Sequence, residues 1–372
     1  MPPKKTSTPA EPPERVFLID SFSHIFRAFF APMGARTEPL TNSQGQVTQA
    51  VFVFTNMLRK LLADEKPHYI AAVFESGEPT FRHESFAAYK ANRAAPPDEL
   101  LSQIPYIVRV CEAYRIPIIN APGFEADDVI GTLAAQAAEE GLQSVIVSND
   151  KDMCQLVRDP LVVCMRQNSQ NVKRREPVPP VEWCDESWVE QKFGVPPEQI
   201  IDLLGLMGDS VDNIPGAPGI GAKGAVQIVR QFGSIENALK NWEEVRHKTY
   251  RESLRDNADL IRQSRELATI RTDVNIRLDL DKLRAREPDR AAAYMLFREL
   301  EFQTLTREFA DAATQADPGA VKRNYRHVRK GAELEALVRK LWDVDHFGFA
   351  VAAAGAVTPA GAGQQGSARE PA

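Results

Sequence analysis

The sequence predicts an α/β fold with a central, mostly parallel sheet flanked by helices, followed by an all-helical region. Short apolar runs at 15–20 (RVFLID), 69–75 (YIAAVFE) and 144–150 (SVIVSND) have the length and composition of buried strands. Helical periodicity at 48–63 and 129–140 separates them. Strands that alternate with helices in this way form parallel sheets covered on both faces.

The composition is that of a globular protein with a substantial core. The chain has 372 residues, 43% of them hydrophobic, four cysteines and a formal net charge of −6. No apolar run approaches the roughly 18 residues of a membrane span, so we expect a cytoplasmic protein with no membrane partner. The cysteines fit neither a zinc-binding pair nor a disulfide framework. The negative charge on its face argues against nucleic acid, but an acidic metal site and a basic face can share one surface.

Each predicted strand leads into an acidic residue. Asp20 ends the first strand, Glu75 ends the second, and Asp150 and Asp152 follow the third. Ligands of open α/β sheets bind beyond the carboxyl ends of the strands, so these side chains are expected at one edge. A single acid at such a place is more simply a helix cap or a turn residue, but three together are not explained in that way.

The stretch GFEADDVIGTL at 123–133 adds Glu125, Asp127 and Asp128 at the start of a predicted helix. Taken alone, it is explained by the helix dipole, which favours acids in a first turn. The strand-like RIPIINAP comes just before it and brings these acids to the same edge if that strand is parallel to the others.

Helical patterns follow from about residue 185, in DESWVEQKFG, PEQIIDLLGLMG, GAVQIVRQFG and SIENALKNW. Between them, GDSVDNIPGAPGIGAKGA at 208–225 carries Asp209 and Asp212. Its GIGAKG matches a dinucleotide fingerprint, but no strand precedes it, and a P-loop fails because Ala222 stands where the lysine belongs. We expect a tight hairpin between two helices, with backbone amides open to a phosphate; an ordinary glycine-rich turn is the alternative.

The acids collected at this edge predict a metal site. A cluster of like charges stays ionised only where cations compensate it, and ligand sets made of oxygen alone favour Mg²⁺ or Mn²⁺. So many carboxylates can hold two or more ions, an arrangement that serves phosphodiester cleavage. The candidate ligands are Asp20, Glu75, Glu125, Asp127, Asp128, Asp150, Asp152, Asp209 and Asp212.

The segment PTFRHESFAAYKANR at 79–93 interleaves Arg82, Lys90 and Arg93 with aromatic residues that include Tyr89. Cations that hold phosphates beside aromatics that stack on bases are typical of sites for single-stranded nucleic acid. An amphipathic helix with a solvated basic face is the alternative for the segment alone.

Five motifs in this order and spacing resemble the 5′ nuclease domain of bacterial DNA polymerase I, a member of the flap endonuclease family: VFLID, FRHESFAAYKANR, GFEADDVIGTL, SNDKDMCQL and GDSVDNIPGAPGIGAKGA. The resemblance spans about 15–310. It implies a PIN-like core with a helix-hairpin-helix subdomain. It also implies divalent-metal-dependent hydrolysis of 5′ flaps and 5′ ends of DNA or RNA/DNA, in primer removal and repair.

The resemblance also implies a domain organisation and partners. Residues 1–14 would be a disordered tail, 15–200 the nuclease core with a helical arch near 80–105, and 201–310 the helical subdomain. Residues 311–372 would be a linker and the truncated start of a proofreading-like domain. The implied partners are branched or nicked DNA, RNA/DNA primer junctions, and a DNA polymerase in cis or in trans.

The site residues implied by the resemblance are the nine acids and several basic or glycine residues. Arg82, Lys90, Asp128 and Asp150 are expected to be catalytic. In this family the hairpin often binds K⁺ as well. The DNA contacts are expected from Arg27, Arg82, Tyr89, Lys90, Arg93, Gly219, Gly221 and Lys223.

Three positions depart from the family pattern. Glu75 replaces an aspartate, and its extra methylene is expected to alter metal geometry and reduce activity. Ser21 and Gly224 replace residues that are more often glycine and threonine. Two alternatives therefore stay open: a catalytically weakened module that binds DNA junctions, and a related Mg²⁺-dependent ribonuclease.

Overall fold

The computed structural model describes most of the chain, which divides into a unit at 1–317 and a second unit at 318–372. In the second unit it describes one helix, Gly331–Trp342. The stretch expected to open a proofreading-like domain, FGFAVAAAG at 347–355, lies outside the described residues. So does most of the expected N-terminal tail. The described ranges are 13–32, 38–168, 179–312 and 331–342.

The described part of the chain contains a six-stranded sheet in the order β3-β2-β1-β4-β5-β6. The first five strands are parallel, and β6 pairs with β5 in the antiparallel direction. This confirms the predicted fold class. The strands are β1 Arg15–Asp20, β2 Tyr69–Val73, β3 Ile118–Ile119, β4 Gln143–Val147, β5 Val162–Gln167 and β6 Val181–Cys184.

Helices connect the strands, and the described elements after β6 are all helical. No described helix is long and apolar enough to cross a membrane. The helices of the first unit are α1 Ser21–Phe29, α2 Gln49–Glu65, α3 Phe81–Ser85, α4 Asp98–Leu101, α5 Ile104–Ala113, α6 Ala126–Glu139, α7 Glu186–Phe193, α8 Ile200–Met207, α9 Ala222–Phe232, α10 Ile235–Lys240, α11 Lys248–Asp256, α12 Ala258–Ala268, α13 Leu280–Leu283, α14 Arg290–Glu299 and α15 Gln303–Glu308.

Successive residues of each strand enter different cores, because side chains alternate across a sheet. On one face, Leu18 of β1 joins a buried cluster with Ile130 of α6 and with residues of α8, α9 and α12. On the other face, Ile19 joins a cluster that contains Phe54 of α2 and Leu296 of α14. Continuous apolar strands thus reflect burial on both faces, as the sequence predicts.

The last two helices of the first unit, α14 and α15, pack on the α/β core, whereas the resemblance implies that this part of the chain belongs to the helical subdomain at 201–310. Phe302 packs edge-to-face on Phe52, and Phe309 packs edge-to-face on Tyr114. A helical pattern in the sequence does not indicate which neighbour the helix contacts. Here the apolar faces of α14 and α15 pack against the apolar surface of α2 and α5.

The turn after α8 brings two backbone segments into direct contact. Asp209 and Ile214 exchange two backbone hydrogen bonds, of 2.9 and 2.7 Å. Gly216 has φ +66°, and a Cβ atom there would lie 2.5 Å from the backbone nitrogen of Gly208. This position therefore accepts only glycine without rearrangement.

We expect Gly216→Ala to lower the free energy of unfolding by about 2 kcal/mol or more, because it adds left-handed strain and a backbone clash. Gly221→Ala is the matched control, since Gly221 has φ −89° and no atom within 4 Å of a Cβ there. Thermal denaturation of both variants measures the difference. An equal loss of unfolding free energy in the two variants, or no loss in either, would contradict the close backbone approach at Gly216.

Candidate metal centre and nucleic-acid interface

The parallel register brings Asp20 to the carboxyl edge of the sheet. Asp20 is the last residue of β1 and lies opposite Val73 near the end of β2. Its Oδ2 accepts a hydrogen bond from Ser148 Oγ at 2.6 Å, and its Oδ1 accepts one from Ser23 N at 3.1 Å. Burial, with a smaller repulsion from Asp150, raises the pKa of Asp20 to about 6, even though these hydrogen bonds oppose the shift.

Glu75 and the first turn of α6 face the same edge. Glu75 Oε2 accepts a hydrogen bond from Ala126 N at 3.3 Å. Burial and the negative charge of Glu125 raise the pKa of Glu75 to about 7. Asp127 is half-buried, and desolvation, Asp150 and Asp20 together raise its pKa as well. These groups repel one another in the absence of a cation.

The loop after β4 supplies the next two acids. Asp150 N donates to Ser148 Oγ at 3.0 Å, and Asp150 Oδ1 accepts from Asp152 N at 2.9 Å. Burial, followed by the charge of Asp150, raises the pKa of Asp152 to about 8. Oδ1 of Asp152 is buried without a hydrogen-bond partner, which is costly for a carboxylate oxygen.

Basic side chains pair with three of the remaining acids. Lys90 Nζ lies 2.7 Å from Glu125 Oε1, Lys151 Nζ lies 2.6 Å from Asp209 Oδ2, and Arg93 pairs with Asp212. Burial opposes ionisation of Glu125 and of Asp209, but the neighbouring cations outweigh it and hold both pKa values below their ordinary range.

Arg82 and Asp128 are buried against each other beside Glu125, although Arg82 is expected to contact a phosphate and Asp128 a metal ion. Their side chains are only 3% and 0% exposed, and they form a bidentate ion pair with N–O distances of 2.7 and 2.8 Å. Because each satisfies the other inside the protein, neither faces solvent.

Tyr89 is also buried, so its ring does not offer a stacking surface for a base as expected. Its hydroxyl donates to Glu125 Oε2 at 3.0 Å, and its ring packs edge-to-face on His83. Tyr89 thus holds an acid of the cluster through its hydroxyl and does not form an exposed aromatic surface.

The segment at 80–105 contains two short helices, α3 and α4, with turns between them, and not a single continuous helix. A turn at 86–93 carries Lys90, which has φ 54° in the left-handed region. Lys90 N donates to the carbonyl of Asp212 at 2.9 Å, and Asn213 Nδ2 donates to the carbonyl of Ala88 at 2.7 Å. The turn is therefore held against the acid-bearing loop that follows α8.

The predicted hairpin has the expected form. Gly221 is the N-cap of α9, no side chain caps that end, and Gly221, Ala222 and Lys223 are exposed. The preceding element is a turn and not a strand, so the dinucleotide interpretation stays excluded. Tyr250 fills the space beside Gly224, where a Cβ atom would lie 2.7 Å from its ring. Glycine at this position therefore reflects close helix packing.

Arg27 lies near the last turn of α1, where Nη1 donates to Gln167 Oε1 at the end of β5, at 3.3 Å. Burial lowers the pKa of its guanidinium. None of its described contacts joins it to the acids.

Sequence reasoning missed the residues that organise the acids. Ser148 bonds both Asp20 and Asp150, and Lys151 neutralises Asp209. Their positions within SNDKD were a usable signal, because a serine before two acids and a lysine between them are suited to hydrogen bonding and charge compensation.

Within the described ranges, no group of three or more acidic, histidine or cysteine side chains stands ready-made around one point as a metal centre. The donor set nevertheless fits a hard divalent cation. It consists of oxygen ligands, and it includes the unpartnered oxygen of Asp152. Burial, with added repulsion between the acids, raises several of its pKa values, and a bound cation would offset both effects.

Two family models match the chain and together extend from 15 to 291. The first describes a 5′-3′ exonuclease, N-terminal resolvase-like domain, and covers residues 15–194. The second describes a 5′-3′ exonuclease, C-terminal SAM fold, and covers residues 195–291.

Relatives with similar sequences are DNA polymerases I. The enzyme of Bacillus caldotenax is 40% identical over 310 residues, which are 83% of this chain and 34% of the relative. That of Chloroflexus aurantiacus is 43% identical over 286 residues, 77% of this chain and 29% of the relative. The chain therefore spans about a third of the length of the relatives it matches.

Solved structures share the fold at lower identity. T5 5′-exonuclease with bound zinc has a TM-score of 0.57 at 18% identity, over 81% of this chain and 100% of that one. The catalytic core of Rad2 in complex with DNA substrate has a TM-score of 0.53 at 15% identity, over 80% and 91%. Because the two family models cover most of the sequence, this chain belongs to the 5′-3′ exonuclease family of nucleases.

Proposed function

We propose that the chain is a divalent-metal-dependent, structure-selective 5′ nuclease that hydrolyses phosphodiester bonds at 5′ flaps and 5′ ends of DNA or RNA/DNA. The observation that carries this proposal is a group of acids at the sheet edge that have no ion pair among the described residues. Burial, with a smaller contribution from repulsion, raises several of their pKa values, and one buried oxygen lacks a donor. The group consists of Asp20, Glu75, Asp127, Asp150 and Asp152.

These five residues would hold Mg²⁺ or Mn²⁺, two ions or more. When bound there, such ions lower the pKa of a water molecule and stabilise the leaving oxygen. Within the chain, Ser148 orients the carboxylate of Asp20 and holds the backbone of Asp150. Ser23 N donates to Asp20 as well, so the first strand end is rigid before any ligand arrives.

The cations of the 86–93 turn would contact the scissile phosphate. Lys90 and Arg93 are held beside the acids by Glu125 and Asp212. The left-handed backbone at Lys90 costs free energy, and such strain is often found where a side chain must be aimed at a site. Tyr89, a buried residue of the same turn, keeps Glu125 in place through its hydroxyl.

The exposed amides at the start of α9, with Lys223, would hold the duplex backbone through its phosphates, without reading sequence. T5 5′-exonuclease is described with divalent metal ions and the Rad2 core with a DNA substrate, which agrees with both parts of the proposal. Binding of K⁺ at the hairpin, nicked or RNA/DNA junctions as substrates, and a polymerase partner in cis or in trans belong to the proposal too.

A junction-binding module with weakened catalysis is the second candidate, because Glu75 takes a position where the family usually has aspartate. Its carboxylate already bonds the amide of Ala126 at the start of α6. This candidate would bind flap DNA with strong salt dependence but release no product with either metal. Glu75→Asp would then restore cleavage.

We expect Asp127→Asn and Asp150→Asn each to reduce cleavage of a 5′-labelled double-flap DNA by about 100-fold or more, since each removes a charge needed in the transition state. Cleavage is measured with Mg²⁺, with Mn²⁺ and with EDTA. Asp259→Asn is the matched control, because that carboxylate is fully exposed on α12. Wild-type turnover in EDTA, or unchanged turnover in both cluster variants, would refute the proposed nuclease.

Without metal, the protein should lose stability as pH rises. Unfolded carboxyl groups have pKa values near 4. In the folded state the values are about 6 for Asp20, about 7 for Glu75 and about 8 for Asp152, so the folded protein keeps protons that the unfolded chain releases. Its melting temperature in EDTA should therefore be lower at about pH 8 than at about pH 5.5.

Divalent metal should reverse that loss, with a larger shift in melting temperature at about pH 8, where the acids are ionised in the complex. The Asp127→Asn variant lacks one of the repelling charges, so pH and metal should each change its melting temperature less than they change that of the wild type. A melting temperature in EDTA that is higher at about pH 8 than at about pH 5.5 would contradict the raised pKa values of these acids in the folded protein.

A further inference from the structure

The two neighbouring aspartates of the EADD motif have different surroundings. Asp127 is half-buried at the start of α6, and the charges of Asp150 and Asp20 are near enough to act on its carboxylate. Asp128 is fully buried, and its carboxylate faces the guanidinium of Arg82. Successive residues of a helix point about 100° apart, so one turn can present the two carboxylates to different environments.

Both oxygens of Asp128 are saturated by donors. Oδ1 accepts from Arg82 Nη2 at 2.8 Å and from Arg271 N at 2.8 Å. Oδ2 accepts from Arg82 Nη1 at 2.7 Å and from Glu125 N at 3.2 Å. A carboxylate offers about four acceptor directions, and all are used here. A metal ion could bind Asp128 only by displacing a buried arginine.

Arg82 also bonds the helical region, through two backbone carbonyls. Its Nε donates to the carbonyl of Leu267 at 2.9 Å, and Nη2 donates to the carbonyl of Thr269 at 2.6 Å. These carbonyls lie at the end of α12, where helix C-terminal oxygens lack intrahelical donors and favour a positive charge. One guanidinium thus satisfies α12 and α6 together.

The same pair also fixes the phosphate-binding side of the site. Arg82 belongs to α3, directly before the turn at 86–93. Its Nη1 lies 3.6 Å from Glu125 Oε2, and Asp128 caps the backbone of Glu125 in a reciprocal capping box. The 86–93 turn, the acids of α6 and the helical region therefore meet at one buried ion pair.

We propose that the Arg82–Asp128 pair is a positioning device and not part of the metal or phosphate site. It holds the helical region and the Lys90 turn in register with the carboxylates that bind metal. Asp127, one residue earlier, is the ligand from this motif. The inference rests on the proposed metal-dependent cleavage, but its test also has readouts that do not need cleavage.

The test compares Asp128→Asn, the double variant Arg82→Gln with Asp128→Asn, and Asp127→Asn as the matched control. Melting temperature is measured without metal, and Mn²⁺ affinity is measured without DNA by electron paramagnetic resonance. Asp128→Asn leaves a buried guanidinium without its charge partner, so it should be the least stable. The double variant removes both charges and should recover much of that loss, so it remains testable if the single variant does not fold.

We expect the double variant to bind Mn²⁺ within about threefold of wild type. Asp127→Asn should lose about tenfold or more, because removing a ligand should cost at least as much affinity as removing a residue that only orients one. On flap DNA at saturating Mn²⁺, the double variant should show a kcat reduced by about tenfold, with an unchanged metal concentration for half-maximal rate. A purely structural pair would leave kcat unchanged once the protein is folded, and that result would overturn the positioning role.

Loss of Mn²⁺ affinity in the double variant equal to that in Asp127→Asn would overturn the inference by showing that Asp128 is a ligand. Failure of wild-type protein to cleave flap DNA would instead count against the proposed function. The Mn²⁺ affinities and melting temperatures would still decide the role of Asp128, because neither measurement depends on turnover.

Discussion

Repulsion between carboxylates at one edge of a parallel sheet is the constraint on which the rest of this structure depends. Parallel strands deliver their C-terminal residues to a single edge, and here Asp20, Glu75 and the Asp150 loop all arrive there. Burial makes the repulsion stronger, because the charged forms lose water. Neighbouring loops supply hydrogen-bond donors, such as Ser148 for Asp20, and positive charges, such as Lys90 for Glu125.

The compensation also holds the two halves of the first unit together. Lys151, next to the core strand β4, pairs with Asp209 after α8, while Arg93 from the 86–93 turn pairs with Asp212. Arg82 joins α6 to the end of α12. A shared apolar core packs the helical region on the α/β core, and these charge pairs add fixed contacts between the two beside the acids.

The sequence predicts the fold class, the strand ends and the hairpin because these depend on local patterns. Apolar runs, helical periodicity and glycine spacing are all visible within a few residues. The burial of Arg82 is not visible in that way, since its carbonyl partners Leu267 and Thr269 are 185 and 187 residues distant in sequence. The burial of Tyr89 is hidden in the sequence for the same reason. An aromatic next to a lysine fits a stacking surface equally well until the position of Glu125 is known.

The EADD motif shows why residue type alone does not assign a role. Both aspartates carry the same charge and lie one position apart, yet one faces other carboxylates and the other faces an arginine. A carboxylate among carboxylates gains most from a divalent cation, while one already holding four donors loses those bonds if it turns towards a metal. In the proposed site, these surroundings would make Asp127 a ligand and Asp128 a support. A cluster of nine acids need not mean nine ligands, because part of its negative charge serves to hold the cations that shape the site.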